Sequence, residues 1–416
     1  MEQFDAAMLM LSDHMVLFFI AFAVCFVVTP LMRLLAVKNG IVDRPDLHRK
    51  RHLGPVAYLG GVAVFLAWVA SVTYCYVTRA YDPANAHLIS LVFGAICITL
   101  TGLVDDVRNV SPRVKIAGMF LAAGGLALSS QKLAIILVQH SFAGIGLGVG
   151  NNVAYILGAA LIGLLVLGGC NAVNLLDGLD GLATGVCAIA MAGLLVISIC
   201  SMGPQPGEYD TIRFVMCLTL LGALLGFLPY NFNPANIFLG DAGSLLIGYL
   251  CAATIVVFAQ DTKLVVAALV VFALPITDTA LAVFRRKMRG QPIFAPDHHH
   301  LHHQLLRVMH GAGFSPNASV KLAVLTMYLL SIAFAVMGCA LVFLRWRFVL
   351  AVALPLFSFV VVAAFKAAQR QGPDPAARSP APAAATDGNR TPGAQIPVTT
   401  VGGEHLESVG GQGRAH

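Results

Sequence analysis

The sequence predicts an all-α polytopic membrane protein of about eleven transmembrane helices, N-terminus outside and C-terminus cytoplasmic. Four observations carry this. The 416 residues are 58% hydrophobic and only 11% charged, far from a soluble balance. Apolar runs of roughly 17–25 residues recur along nearly the whole chain, the length a helix needs to cross a bilayer while satisfying its own backbone hydrogen bonds. The alternating ten-residue pattern of a membrane barrel is absent (about ten residues per strand). Finally, Lys and Arg concentrate on alternate loops, and basic residues favour the cytoplasmic side.

Taken in order, the expected spans are 15–35, 59–77, 87–104, 114–130, 153–169, 183–202, 213–228, 243–260, 264–284, 320–341 and 347–366. The first has no basic region before it and no small-residue cleavage site after it, so it reads as a retained span. Arg33, Lys38, Arg108, Arg113, Lys115, Arg285, Arg286 and Lys287 fall on one set of loops; the other set has only Arg79, Lys132, Arg213, Lys263, Arg345 and Arg347. Odd-numbered spans therefore run inward. Residues 131–152 are too short and Gly-rich for a span and read as an outer re-entrant or hairpin element. From Gln371 onward Pro, Ala, Gly and Thr dominate, a composition that cannot bury enough surface to fold. The expected division is a membrane-embedded domain at 1–370 and a disordered cytoplasmic tail at 371–416. The nine cysteines are scattered with no CxxC spacing and read as packing thiols. The net charge of +6 belongs to the topology and does not imply a nucleic-acid partner.

This topology puts loops 36–58, 105–113, 170–182, 229–242 and 285–319 on one face, and they hold Asp105, Asp106, Asp177, Asp180 and Asp241. Acidic groups beside hydrocarbon are costly and are rarely kept without a task. A transporter would carry charges near its span midpoints, and these spans are almost free of them. A lipid-binding scaffold would leave the five acids unexplained. The pattern describes a metal-dependent site at a membrane surface.

Each loop adds its own chemistry. Asp105 and Asp106 are adjacent and repel, so keeping both ionised calls for a cation or a basic partner; a helix cap with a solvated second acid is the alternative. Asn171, Asn174, Asp177 and Asp180 follow at three-residue steps, which on a helix would turn them to one side. Asn offers both donor and acceptor, as base and ribose recognition requires. In the next loop Asn231 and Pro234 precede Asp241, with Phe238 one helical step before it, placed to stack on a base or to pack in the core. Five histidines occupy the six positions 298–303. His299 and His303 have zinc-like spacing, but no HExxH accompanies them. Arg285, Arg286, Lys287 and Arg289 favour an anion, so a diphosphate clamp is the preferred reading. Lys50 and His52 add basic groups ahead of Gly60 and Gly61, where attraction to lipid headgroups is the plainer account.

Together, over roughly residues 40–310, these segments resemble the polyprenyl-phosphate N-acetylhexosamine-1-phosphate transferases. Asp105-Asp106 is similar to the family's double-Asp element, Asn171 to Gly181 to its NAxNxxDGLDGL element, and Asn231 to Ser244 to its FxGDxGS element. The PDRxHxHH pattern maps onto Pro296, Asp297, His300, His302 and His303, with His298 in place of the Arg. The Pro-x-Arg-Leu-Gly-Gly pattern appears as Ala57-Tyr58-Leu59-Gly60-Gly61. The PDxxHxHH form is similar to the WecA-type branch that acts on UDP-GlcNAc.

The resemblance implies transfer of GlcNAc-1-phosphate from a UDP-sugar to undecaprenyl phosphate with release of UMP, as the first membrane step of a cell-envelope polysaccharide. UDP-MurNAc-pentapeptide is the alternative donor. The implied setting is a bacterial inner membrane with the site on its cytoplasmic face, and a homodimer is left open. Mg²⁺ is the implied cofactor, with Mn²⁺ as substitute. Asp241 is the leading metal ligand, with Asp106 sharing it; Asp105 and Asp106 position or deprotonate the lipid phosphate. Asp177, Asp180 and His300 complete the catalytic set. Asn171, Asn174, Asn231 and Phe238 are implied around the uridine, and Lys50, His52, His302 and His303 around the substrate phosphates. The residue chemistry suits this reaction on its own terms. A phosphate attacking a diphosphate must overcome repulsion among several negative charges.

Overall fold

The computed structural model describes residues 2–43, 56–78, 85–108, 110–143, 148–288, 290 and 300–344, with five further positions between 348 and 362. Among them the elements run α1 (Glu2–Lys38), β1 (Val42–Asp43), β2 (Val56–Ala57), α2 (Gly60–Thr78), α3 (Asn85–Arg108), α4 (Pro112–Ser129), α5 (Gln131–Ala143) and α6 (Asn151–Leu176). They continue as α7 (Leu182–Ser201), α8 (Glu208–Asn231), α9 (Gly240–Val257), α10 (Thr262–Val271), α11 (Ala273–Met288), α12 (Leu301–Gly311) and α13 (Pro316–Phe343).

Eight of these helices are long and apolar enough to cross a membrane, or up to ten segments if two bent pairs each count as one span. The eight are α1, α2, α3, α6, α7, α8, α9 and α13, and each coincides with an expected span. The expected spans at 114–130 and 264–284 correspond to the bent pairs. In the first, α4 turns by 85° into α5, which occupies the segment read as a re-entrant or hairpin element. In the second, α10 and α11 meet at 74°. Pro275 sits in the first turn of α11 and has no amide N–H to offer the Val271 carbonyl, so a continuous helix would lose that bond. The eleventh expected span falls almost wholly outside the described residues. The chain divides after Arg370, and the unit Gln371–His416 lies outside them too.

The helix α9 forms the centre of the bundle. Protein encloses 94% of it, against 22% of the α1 span. In a lipid-facing protein such close helix packing relies on small side chains, and α9 meets its neighbours through them. A Cβ added to Gly61 of α2 would strike the backbone of Gly243, and one on Gly102 of α3 would strike Ala242. Gly248 lies equally close to Gly169 and Cys170 of α6. The strand pair β1–β2 brings the start of α2 against the same end, where Phe238 N–H donates to the Ala57 carbonyl at 2.8 Å and Gly61 N–H to Leu239 at 2.8 Å. All nine cysteines are free and six are buried, in keeping with packing thiols.

Candidate active site

The C-terminal ends of α3 and α6 and the N-terminal ends of α2 and α9 meet at one end of the bundle, and the acids meet there with them. Gly240 adopts a left-handed backbone (φ +71°) that turns the first amides of α9 onto Asp106. One Asp106 oxygen accepts the Asp241 N–H at 2.7 Å and the other the Ala242 N–H at 3.1 Å. A Cβ at residue 240 would come within 2.6 Å of that carboxylate, so glycine is required. Asp106 thus occupies the positive end of the α9 dipole.

The partner demanded by the acid pair is Lys115 of α4. Its ammonium lies 2.6 Å from Asp105 and also ion-pairs with Asp241. Asp105 further accepts the Val110 N–H at 2.9 Å. The other Asp241 oxygen accepts the Asn174 amide at 2.7 Å, and the same amide nitrogen reaches the Ser244 hydroxyl at 2.9 Å. Asp177 caps the C-terminus of α6, its N–H bonded to the Val173 carbonyl at 3.0 Å, while its carboxylate has no hydrogen-bond partner among the described residues. Burial, with the charges of Asp241, Asp106 and Asp180 around it, pushes its carboxyl up to about 8. Tyr58 faces the same charge: burial and the carboxylates of Asp106, Asp241 and Asp177 push its phenol up to about 12. Its ring lies 6.0 Å from that of Phe238.

Other expected residues take different places. The single helical register expected for residues 171–180 ends at Leu176, because Asp177 leaves helical geometry and Gly181 opens α7 with a left-handed φ of +77°. Asp180 consequently swings to the next loop, accepting the Asn233 amide at 2.9 Å and the Ala235 N–H at 3.0 Å. Asn171 turns back on its own helix, donating to Leu167 at 2.7 Å. Asn231 is buried and spans Thr184 and the Ile237 carbonyl, holding the loop together. Phe238 is not on a helix with Asp241; it lies in an extended segment bonded to Ala57 and Gly60. Lys50, His52 and residues 296–299 lie outside the described residues.

The described histidines form a second group at the start of α12. The His300 imidazole meets Asp278 of α11 at 2.9 Å through Nδ1, and the other Asp278 oxygen accepts the Leu301 N–H at 2.8 Å. The rings of His300 and His302 stack at 5.7 Å and 10°, and His303 lies 4.2 Å from His302. His302 packs on Gly178, whose added Cβ would stand 2.5 Å from Nε2, so the group abuts the Asp177 turn. Burial and the neighbouring His303 and His300 depress His302 to about 3. That ring is neutral at physiological pH and can donate through one N–H only.

Lys115 and Asp278 are members that the sequence reading passed over. Lys115 was legible only as a topological charge; Asp278 stood as a single acid in an apolar run, the signal that could have drawn attention.

Among the described residues no three His, Cys, Asp or Glu side chains converge as a ready-made metal cage. The donor set nevertheless fits a hard divalent cation, since Mg²⁺ is held through one or two carboxylates, waters and substrate phosphates. Asp241 and Asp177 supply such carboxylates, and burial together with the charges of Asp241, Asp106 and Asp180 disfavours the ionised form of Asp177, a penalty that a cation would relieve.

Comparison with known proteins bears on the chemistry. The model of the family described as glycosyl transferase family 4 matches residues 88–259. A probable undecaprenyl-phosphate N-acetylglucosaminyl 1-phosphate transferase of Bacillus subtilis is 31% identical over 343 residues, covering 80% of this chain and 87% of that protein. A decaprenyl-phosphate N-acetylglucosaminephosphotransferase of Mycobacterium tuberculosis is 33% identical over 302 residues, 67% of this chain and 72% of its own. A phospho-N-acetylmuramoyl-pentapeptide-transferase of Geobacillus thermodenitrificans is 32% identical over 303 residues, 68% and 88% respectively.

Proposed function

The chain belongs to glycosyl transferase family 4, and from that premise we propose that it transfers GlcNAc-1-phosphate from UDP-GlcNAc to undecaprenyl phosphate, releasing UMP. It is a polyprenyl-phosphate sugar-1-phosphate transferase in a multi-pass membrane protein, as its relatives are by name. The observation that carries the reading is the convergence of Asp241, Lys115, Asn174 and Asp177 at one end of the bundle, beside the histidines of α12. The site faces the cytoplasm in this reading, because the basic loops share that face.

In the reaction an oxygen of the acceptor phosphate bonds to the sugar-bearing phosphorus of the donor. The bond to the other phosphate breaks, and its electron pair leaves on UMP. Lys115 offsets the charge of Asp105 and Asp241, so anionic phosphates can approach. Asn174 fixes the orientation of the Asp241 carboxylate, and Asp106 fixes its backbone. Mg²⁺, held by Asp241 and Asp177, would neutralise charge building on the diphosphate oxygens. Asp106, the other expected ligand, accepts the first two α9 amides and so anchors the turn that carries Asp241. Phe238 and Tyr58 offer aromatic surface at the mouth for the uracil. His300, His302 and His303 line the side of the Asp177 turn where the sugar phosphate would lie.

A second donor has a specific observation in its favour, since the pentapeptide transferase matches at nearly the same identity as the GlcNAc enzymes. A panel of UDP-sugars assayed for lipid-linked product decides between them. UDP-GlcNAc is expected to give the most product; product from UDP-MurNAc-pentapeptide alone would reassign the donor.

A further inference from the structure

The buried acid Asp278 has no part in the chemistry derived above, and a membrane-embedded carboxylate without a task is unusual. It is 4% exposed and lies on α11, past the bend that follows α10. Its two oxygens make two different bonds. One meets His300 Nδ1 at 2.9 Å; the other accepts the Leu301 N–H, the first amide of α12, at 2.8 Å. One side chain thereby caps the helix that carries the histidines and fixes the ring at its head. With Nδ1 committed, Nε2 is the nitrogen left to His300, and it has no hydrogen-bond partner among the described residues. His302, stacked parallel to His300 and 1% exposed, likewise has both ring nitrogens without a partner there. Its Nε2 side rests on Gly178, next to Asp177. Buried polar atoms are rarely left unsatisfied without a reason, and a ligand at the Asp177 turn would supply one.

We propose that Asp278 is a positioning residue for the transfer reaction. It sets the tautomer and orientation of His300 and, through the start of α12, holds the His300–His302 pair against the Asp177–Gly178 turn. A carboxylate behind an imidazole is the general device for fixing which ring nitrogen carries the proton and where the other points. The two rings then support the Asp177–Gly178 turn with their orientation already set, so little ordering is left to the moment of donor binding. Asp278 itself touches no substrate. This inference rests on the transferase reading of the site.

The test is a double-mutant cycle on the full-length protein in detergent, with UDP-GlcNAc and undecaprenyl phosphate as substrates. The wild type is assayed first: no lipid-linked product there counts against the transferase reading and not against the role of Asp278. Asp278→Asn is expected to lower kcat/KM for the donor by about tenfold or more, the scale of a lost orienting group, with KM for the lipid unchanged. Asp278→Glu is expected to recover part of the loss. Because Asp278 acts in part through His300, adding Asp278→Asn to His300→Ala should cost clearly less activity than Asp278→Asn costs alone, the mark of coupled residues. Losses that multiply in the double variant, or an Asp278→Asn enzyme within about twofold of wild type, overturn the proposal. If Asp278→Asn does not survive extraction, the same cycle is run with Asp278→Glu and judged by the same non-additivity.

Discussion

At the scale of single residues the account turns on unequal acids. Five carboxylates were legible in the sequence, yet their environments give them different work. Asp106 and Asp180 hold backbone amides, Asp105 and Asp241 hold Lys115, and of the five carboxylates that of Asp177 alone has no hydrogen-bond partner among the described residues. Asp241→Asn should abolish transfer while the protein stays folded in membranes, since its carboxylate joins Lys115 and Asn174. Near-normal turnover with Mg²⁺ would refute that role. Asp177 gives a pH signature. Its carboxyl is pushed up to about 8, so below that pH it holds a proton that a cation must displace. Apparent Mg²⁺ affinity should therefore rise as pH increases from about 6.5 through 8, with proton release on binding. Calorimetric titration in two buffers of different ionisation enthalpy measures that release; equal heats in both would count against Asp177 as a ligand. The difference among the acids was not legible in sequence, because it depends on which amides and ammonium groups other helices deliver.

At the scale of elements, the apolar runs revealed nearly every helix, since span length is set by bilayer thickness. They did not reveal the bends. A hydropathy run cannot distinguish a straight span from one broken by 74°, and Pro275 is the local signal that separates the two. Nor could periodicity show that α6 ends at Leu176, which sends Asp180 to the neighbouring loop. The placement of α9 rests on glycine contacts that composition only hints at. Gly61→Ala should drive a methyl into the Gly243 backbone. The expected penalty is about 1–3 kcal/mol of overpacking, read as a lower melting temperature in detergent together with lost activity, since the same displacement moves Asp241. An unchanged melting temperature would mean that α2 and α9 part without penalty.

At the scale of the whole molecule, a polytopic bundle gathers acids from distant loops at one end, with the basic loops expected on the same face. Removing residues 374–416 should leave activity intact, because that segment is rich in Pro, Ala, Gly and Thr and carries none of the site's residues. A truncation that inserts and expresses normally but is inactive would give the tail a role. The site segments were readable in the sequence as an ordered set, whereas Lys115 and Asp278 emerged only when the helices were assembled. The central claim is a charge-neutralised phosphate transfer at the Asp241–Asp177 end of the bundle. Release of UMP by the purified protein, given undecaprenyl phosphate and UDP-GlcNAc with and without Mg²⁺, tests it most directly. The account predicts UMP in step with lipid-linked product, only when both substrates and Mg²⁺ are present; UMP release that ignores the lipid or the metal would contradict it.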